Sequence, residues 1–103
     1  MDNNKSCEHV NQIKEGVVAS SKVCEDCLKM GPDEKWVALR VCLTCGHVGC
    51  CDSSKNTHAT KHFHDTNHPI MQASGKNETW IWCYIDNQYV SDSGKKMYQE
   101  KND

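Results

Sequence analysis

Four of the six histidines in this 103-residue chain fall between His58 and His68, in HATKHFHDTNH, and cysteines crowd just upstream in CLTCGHVGCC. Thiolate and imidazole are the ligands zinc prefers. In Cys24-Glu-Asp-Cys27 and Cys42-Leu-Thr-Cys45, two intervening residues let a tight turn aim both sulfurs at one ion, and Gly46 suits the bend after the second pair. On a helix, His58 and His62 stand four residues apart and share a face, so both can point at metal. His68 lies just past the helix end, where the chain can turn back. Tetrahedral zinc takes four ligands. The first eight group naturally as Cys24, Cys27, Cys50, His58 and as Cys42, Cys45, His62, His68, although spacing alone leaves the pairing open. A third set is Cys7, His9 and Cys83, with Asp86 completing a Cys-x2-Asp turn, since carboxylate is an allowed zinc ligand. The expected cofactor is Zn2+, as two or three ions, with three favoured over two.

His-x3-His is also the spacing of a metalloprotease helix. That chemistry needs a glutamate after the first histidine, and here the residue is Ala59. His64 is about 200° around the helix from His62 and reads as solvated surface. Ala59 and Phe63 form a neighbouring apolar pair expected in the core. His47 and Cys51 are left over. Adjacent residues of an extended chain point apart, so Cys51 is not expected to share a zinc with Cys50. It reads as a buried small side chain before it reads as a reactive thiol.

The elements that must carry these ligands are short. WVALRV, Trp36 to Val41, is β-branched and aromatic enough for a strand, with Trp36, Ala38 and Arg40 on one face and Val37, Leu39 and Val41 on the other. TWIWCYI, Thr79 to Ile85, is a second strand, setting Trp80, Trp82 and Tyr84 opposite Ile81, Cys83 and Ile85. Between them a helix is expected from Thr57 to Asp65, capped by Asn56 or Thr57 and closed by Asn67. The fold class is α+β. Residues 1–6 are expected as a flexible start, 7–90 as the ligand-bearing domain, and 91–103 as a disordered polar tail.

Composition explains why metal is needed. One small domain with seven aromatics (one Phe, three Trp, three Tyr) and a mean hydropathy of -0.77 has little apolar material for a core. Domains of this kind need a staple, either disulfides or metal. No apolar run approaches a signal segment or a spanning helix, so the chain is expected to be cytoplasmic, where thiols stay reduced and zinc is favoured over disulfides. The net charge of -2 and pI near 6.3, with Lys and Arg dispersed, exclude a nucleic-acid footprint and a membrane-surface patch.

In order along the chain, Cys-x-His, Cys-x2-Cys, CLTCGHVGC, HATKH, Asn-His-Pro and Trp-Cys-Tyr together resemble the UBP-type zinc finger of ubiquitin-specific proteases. The resemblance runs from Cys7 to Val90 and is strongest to compact stand-alone bacterial members containing CGHVGCC. It supports the interleaved ligand pairing and implies a twisted antiparallel sheet of about five short strands packed on a helix. In better-known members the fourth ligand of the third site is a cysteine, where this chain has Asp86. The resemblance also implies an aromatic slot that captures the free C-terminal Gly-Gly of ubiquitin. The matching aromatics are Trp82, Tyr84 and Tyr89, with Trp36 on the neighbouring strand. The arginine of binding-competent members follows the Cys50 equivalent by two residues, and here that residue is Asp52, whose carboxylate would repel a tail carboxylate. Arg40, on the face of Trp36, is the one replacement cation in view.

The expected function is therefore a monomeric, non-catalytic zinc-binding domain whose aromatic face recognises a peptide or protein C-terminus. The alternatives are a purely structural zinc domain and a thiol switch using Cys51 beside Cys50.

Overall fold

The computed structural model describes residues 8–14, 16–31, 36–75, 78–90 and 94–100. Five short strands, β1 (Leu39–Cys42), β2 (Val48–Cys50), β3 (Ile70–Ala73), β4 (Ile81–Cys83) and β5 (Gln88–Val90), make one antiparallel sheet in the spatial order β2-β1-β3-β4-β5. A 3-10 turn (Glu8–Gln12) and two helices, α1 (Glu25–Met30) and α2 (His58–Thr66), complete the described elements. This is the α+β sheet-and-helix architecture expected from the sequence. Among the described residues no helix is long and apolar enough to cross a membrane.

Alternation along the strands decides which side chains meet. Val41 pairs with Val48, Ile81 with Val90 and Ile70 with Cys83, and these buried residues form one face of the sheet. Val17, Ala19, Leu43 and Tyr98 pack with them into the main core. On the other face Arg40 lies opposite Gly49, Met71 opposite Trp82 and Trp82 opposite Tyr89. Helix α2 rests on this second face, over β2 and β1. It comes so close that a Cβ on Gly49 would stand 2.6 Å from the Ala59 backbone nitrogen. Gly49 is glycine because a helix backbone occupies the space of its side chain. Asn67 ends α2 in the left-handed region, at φ 62°, with its N–H bonded to the Phe63 carbonyl at 2.7 Å. Thr57 precedes the helix without a side-chain capping bond.

Three expectations need correction. The first strand starts at Leu39 rather than Trp36, because residues 36–38 are held by the loop after β2. Val37 N–H donates to Ser54 Oγ at 2.7 Å, and Cys51 N–H donates to the Ala38 carbonyl at 3.0 Å. The strand expected through Ile85 stops at Cys83, where residues 84–87 turn and Asn87 takes the left-handed conformation that lets β5 return. The polar tail is not loose over its described part. Residues 94–100 lie back on the core: Gln99 N–H donates to the Val17 carbonyl at 2.9 Å, and Tyr98 is 6% exposed. Fully buried Gln72 ties this segment down, donating to the Thr79 and Lys95 carbonyls and accepting from Met97 N–H. Lys96 Nζ adds bonds to the carbonyls of Ala73, Gly75 and Glu78. The expected flexible start, 1–6, lies outside the described residues.

Candidate metal centres and the aromatic groove

The ends of β1, β2 and β4, the two helices and the turns beside them deliver the ligands. The fold gathers Cys24, Cys27, Cys50 and His58 into one group, Cys42, Cys45, His62 and His68 into a second, and His9, Cys83 and Asp86 into a third, with the ligand atoms of each group within 4.8 Å of one another. Cys7 lies outside the described residues. In the first group Cys24 starts α1, Cys27 sits in it, Cys50 ends β2 and His58 begins α2. Cys27 Sγ and Cys50 Sγ are 3.8 Å apart, and His58 Nδ1 stands 3.4, 3.3 and 3.5 Å from the sulfurs of Cys24, Cys27 and Cys50. Zinc–sulfur bonds of about 2.3 Å and zinc–nitrogen bonds of about 2.0 Å, set at the tetrahedral angle, place such atoms about 3.5–3.8 Å apart. The donors fit zinc. None of the described cysteines is joined in a disulfide.

The surroundings of this group are built for thiolates. His58 N–H, at the start of α2, donates to Cys50 Sγ at 3.1 Å, and Asn56 Nδ2 donates to Cys27 Sγ at 3.5 Å. Such donors spread the negative charge of two of the three fully buried sulfurs. Without metal the same burial favours the neutral thiol, pushing Cys24 up to about 12 and Cys42 to about 11. Zinc must displace those protons, so metal uptake releases acid and weakens as pH falls.

The second group is more open. Cys42 is buried but Cys45 is exposed, and His62 and His68 are half-buried. Cys45 Sγ is 3.3 Å from His62 Nε2, and Cys42 Sγ is 3.6 Å from His68 Nδ1. Burial, followed by the neighbouring His47 and His68, pushes His62 down to about 4, which keeps it in the neutral form that ligates metal. His47, which spacing left unassigned, stacks on His62 with centroids 4.4 Å apart and meets Asp26 of α1 at 2.8 Å through Nε2. It links the second group to the helix of the first. In the third group His9 Nδ1 is 3.5 Å from Cys83 Sγ and 3.3 Å from Asp86 Oδ2, and Asp86 N–H donates to Cys83 Sγ at 3.5 Å. Cys51 belongs to none of these groups; it is 4% exposed, with its thiol 3.5 Å from Ser54 Oγ.

The second face of the sheet holds a groove of about 440 Å³ between β4–β5, α2 and the turn after β2. Trp82, Tyr84 and Tyr89 line it, as does Arg40. Tyr89 meets Trp82 edge-on at 4.9 Å, and Phe63 stacks on Tyr84 at 4.9 Å and 13°. Phe63 is thus a wall of the groove rather than core beside Ala59, because α2 turns it towards the turn after β4. Trp36 is misplaced by the sequence reading. It lies outside this groove and packs instead against the buried cysteines of the first group, since the chain at 36–38 bends to the loop after β2. Trp80 was missed as a groove residue, although alternation placed it on the face of Trp82. Its ring lies under the Arg40 guanidinium, 4.4 Å from centroid to Cζ. Asp52 lines the groove as well.

A five-stranded sheet crossed by one helix and knotted by cysteine–histidine groups able to bind zinc defines a zinc-finger domain. Residues 24–95 match the family described as the Zn-finger in ubiquitin-hydrolases and other protein, and the chain belongs to that family. It is 29% identical over 92 residues to ubiquitin carboxyl-terminal hydrolase 44 of Ailuropoda melanoleuca, a match covering 82% of this chain and 11% of that protein. It is 31% identical over 98 residues to ubiquitin carboxyl-terminal hydrolase 16 of Danio rerio, covering 78% of this chain and 12% of that one. The chain thus spans about an eighth or less of the length of these hydrolases. A solution NMR structure of protein RPA1320 from Rhodopseudomonas palustris has the same fold, with a TM-score of 0.73 and 42% identity over 96% of this chain and 98% of that one.

Proposed function

We propose that this domain is a non-catalytic, cytoplasmic module holding three zinc ions and recognising the C-terminal tail of a peptide or protein. Cys24, Cys27, Cys50 and His58 hold the first ion, and Cys42, Cys45, His62 and His68 the second. His9, Cys83 and Asp86 hold the third, with Cys7 as its fourth ligand. Four protein ligands at each ion leave no open coordination position for a reacting water, which separates the module from hydrolytic zinc sites.

The observation that carries tail recognition is the open groove walled by Trp82, Tyr84 and Tyr89. A glycine tail is thin enough to lie between flat rings, and an open aromatic groove rimmed by polar side chains is the kind of surface that marks an interaction site. Tyr89, 62% exposed on the edge strand, leaves its ring open to a ligand at the mouth of the groove. The test is to titrate isotope-labelled, zinc-loaded protein with short peptides ending in a free Gly-Gly. Shifts at Trp82, Tyr84 and Tyr89 support the reading; silence there with every such peptide removes it.

A further inference from the structure

Two opposite charges share the groove without meeting. Arg40 enters it from β1 and Asp52 from the turn after β2, yet among the described residues they form no ion pair with each other. Each has its own anchor. Arg40 Nη1 donates to the Leu39 carbonyl at 2.9 Å, and the guanidinium stands over Trp80 with Cζ 4.4 Å from the ring centroid. Asp52 Oδ1 accepts the hydroxyl of Thr60 on α2, and Thr60 Oγ1 is 3.5 Å from the Tyr84 hydroxyl.

What remains unused on each group is what a ligand would meet. A guanidinium carries five N–H donors. For Arg40 a single one finds an acceptor among the described residues. A seat over the indole restricts the guanidinium in advance, so a carboxylate that reaches its free donors gains charge-assisted bonds at a smaller cost in ordering. Asp52 likewise keeps its second oxygen free among the described residues. It sits on an exposed rim, where a pairing contributes selectivity more than affinity.

Resting on the tail-capture reading, we infer that the groove selects a dipolar tail: a free terminal carboxylate met by Arg40 beside Trp80, and a basic side chain a few residues upstream met by Asp52. The intervening small residues cross the faces of Trp82 and Tyr84. The cation for the carboxylate thus comes from the middle of the sheet. At Asp52, two residues after Cys50, where the resemblance would place that cation, the charge is reversed and serves the upstream residue.

Calorimetric titration of the zinc-loaded protein with three peptides tests this: a Gly-Gly free acid with lysine three residues upstream, its C-terminal amide, and the free acid with glutamine in place of the lysine. Amidation is expected to weaken binding about tenfold or more. Arg40→Gln should do the same, and combining the two should cost no more than either alone. Asp52→Asn and the lysine-to-glutamine peptide should each cost about threefold, again without adding. Unchanged zinc content and amide dispersion in both variants exclude a folding defect. An amidation penalty that persists in Arg40→Gln overturns the inference while leaving tail capture standing. Absence of binding by all three peptides removes both.

Discussion

The first and third ligand groups use similar donors at opposite extremes of the fold. Cys24, Cys27 and Cys50 are fully buried, Cys27 and Cys50 receive N–H donors from the approach to α2 and its first residue, and Trp36 and Leu39 pack against the group, so ligand and core coincide. His9 and Asp86 are partly solvated, with side chains 24% and 33% exposed, and they tie a 3-10 turn to the β4–β5 turn. The lesson is that equal coordination does not mean equal stabilisation. An ion in the first group would organise α1, β2 and α2 together, whereas one in the third group would staple the β4–β5 turn of a sheet held by its own ladder.

Breaking the first group should have the largest effect. Cys50→Ala removes a ligand and an acceptor of the α2 N-terminus, and is expected to cost on the order of 5 kcal/mol or more, beyond what a small domain holds in reserve. Loss of amide dispersion and of at least one zinc equivalent in native mass spectrometry is the expected readout. A folded variant would mean that the apolar core suffices. Gly49→Ala leaves every ligand in place but drives a methyl group into the α2 backbone. It should cost about 1–3 kcal/mol by thermal denaturation, and a neutral result would show that the helix can shift freely over the sheet.

The third group gives a smaller effect. Asp86→Ala should remove one zinc equivalent with about 1 kcal/mol of stability, while the amide pattern of β1–β3 stays unchanged. Global unfolding would erase the distinction between the two groups. Smallest of all is Tyr98→Phe, outside both. The Tyr98 hydroxyl is buried without a hydrogen-bond partner among the described residues. Its removal should be neutral or stabilising by about 1 kcal/mol, and marked destabilisation would reveal an unseen partner.

Much of this was legible in the sequence because metal ligands are marked by residue type as well as by position. Cys-x2-Cys and His-x3-His carry their geometry with them, and alternation in TWIWCYI put Trp82 and Tyr84 on the face that lines the groove. What could not be read depends on contacts between distant segments. Trp36 has strand-like neighbours, yet Ser54 and Cys51 bend its backbone away, and no local pattern announces those bonds. SDSGKKMYQEKND looks disordered by composition. Within it, the place of residues 94–100 on the core depends on Gln72, a polar residue of β3, turning inward to hold the Lys95 carbonyl and Met97 N–H. Arg40 in the groove follows from the strand's phase, but its seat on Trp80 requires β1 and β4 to flank β3.

The central claim is that zinc supplies the organisation this chain's scarce apolar residues cannot. The direct measurement is the amide NMR spectrum of the zinc-loaded protein before and after chelation at neutral pH under reducing conditions. Collapse to the narrow dispersion of an unfolded chain is the expected result, reversed by adding zinc back. A spectrum that stays dispersed after the metal is gone would contradict it.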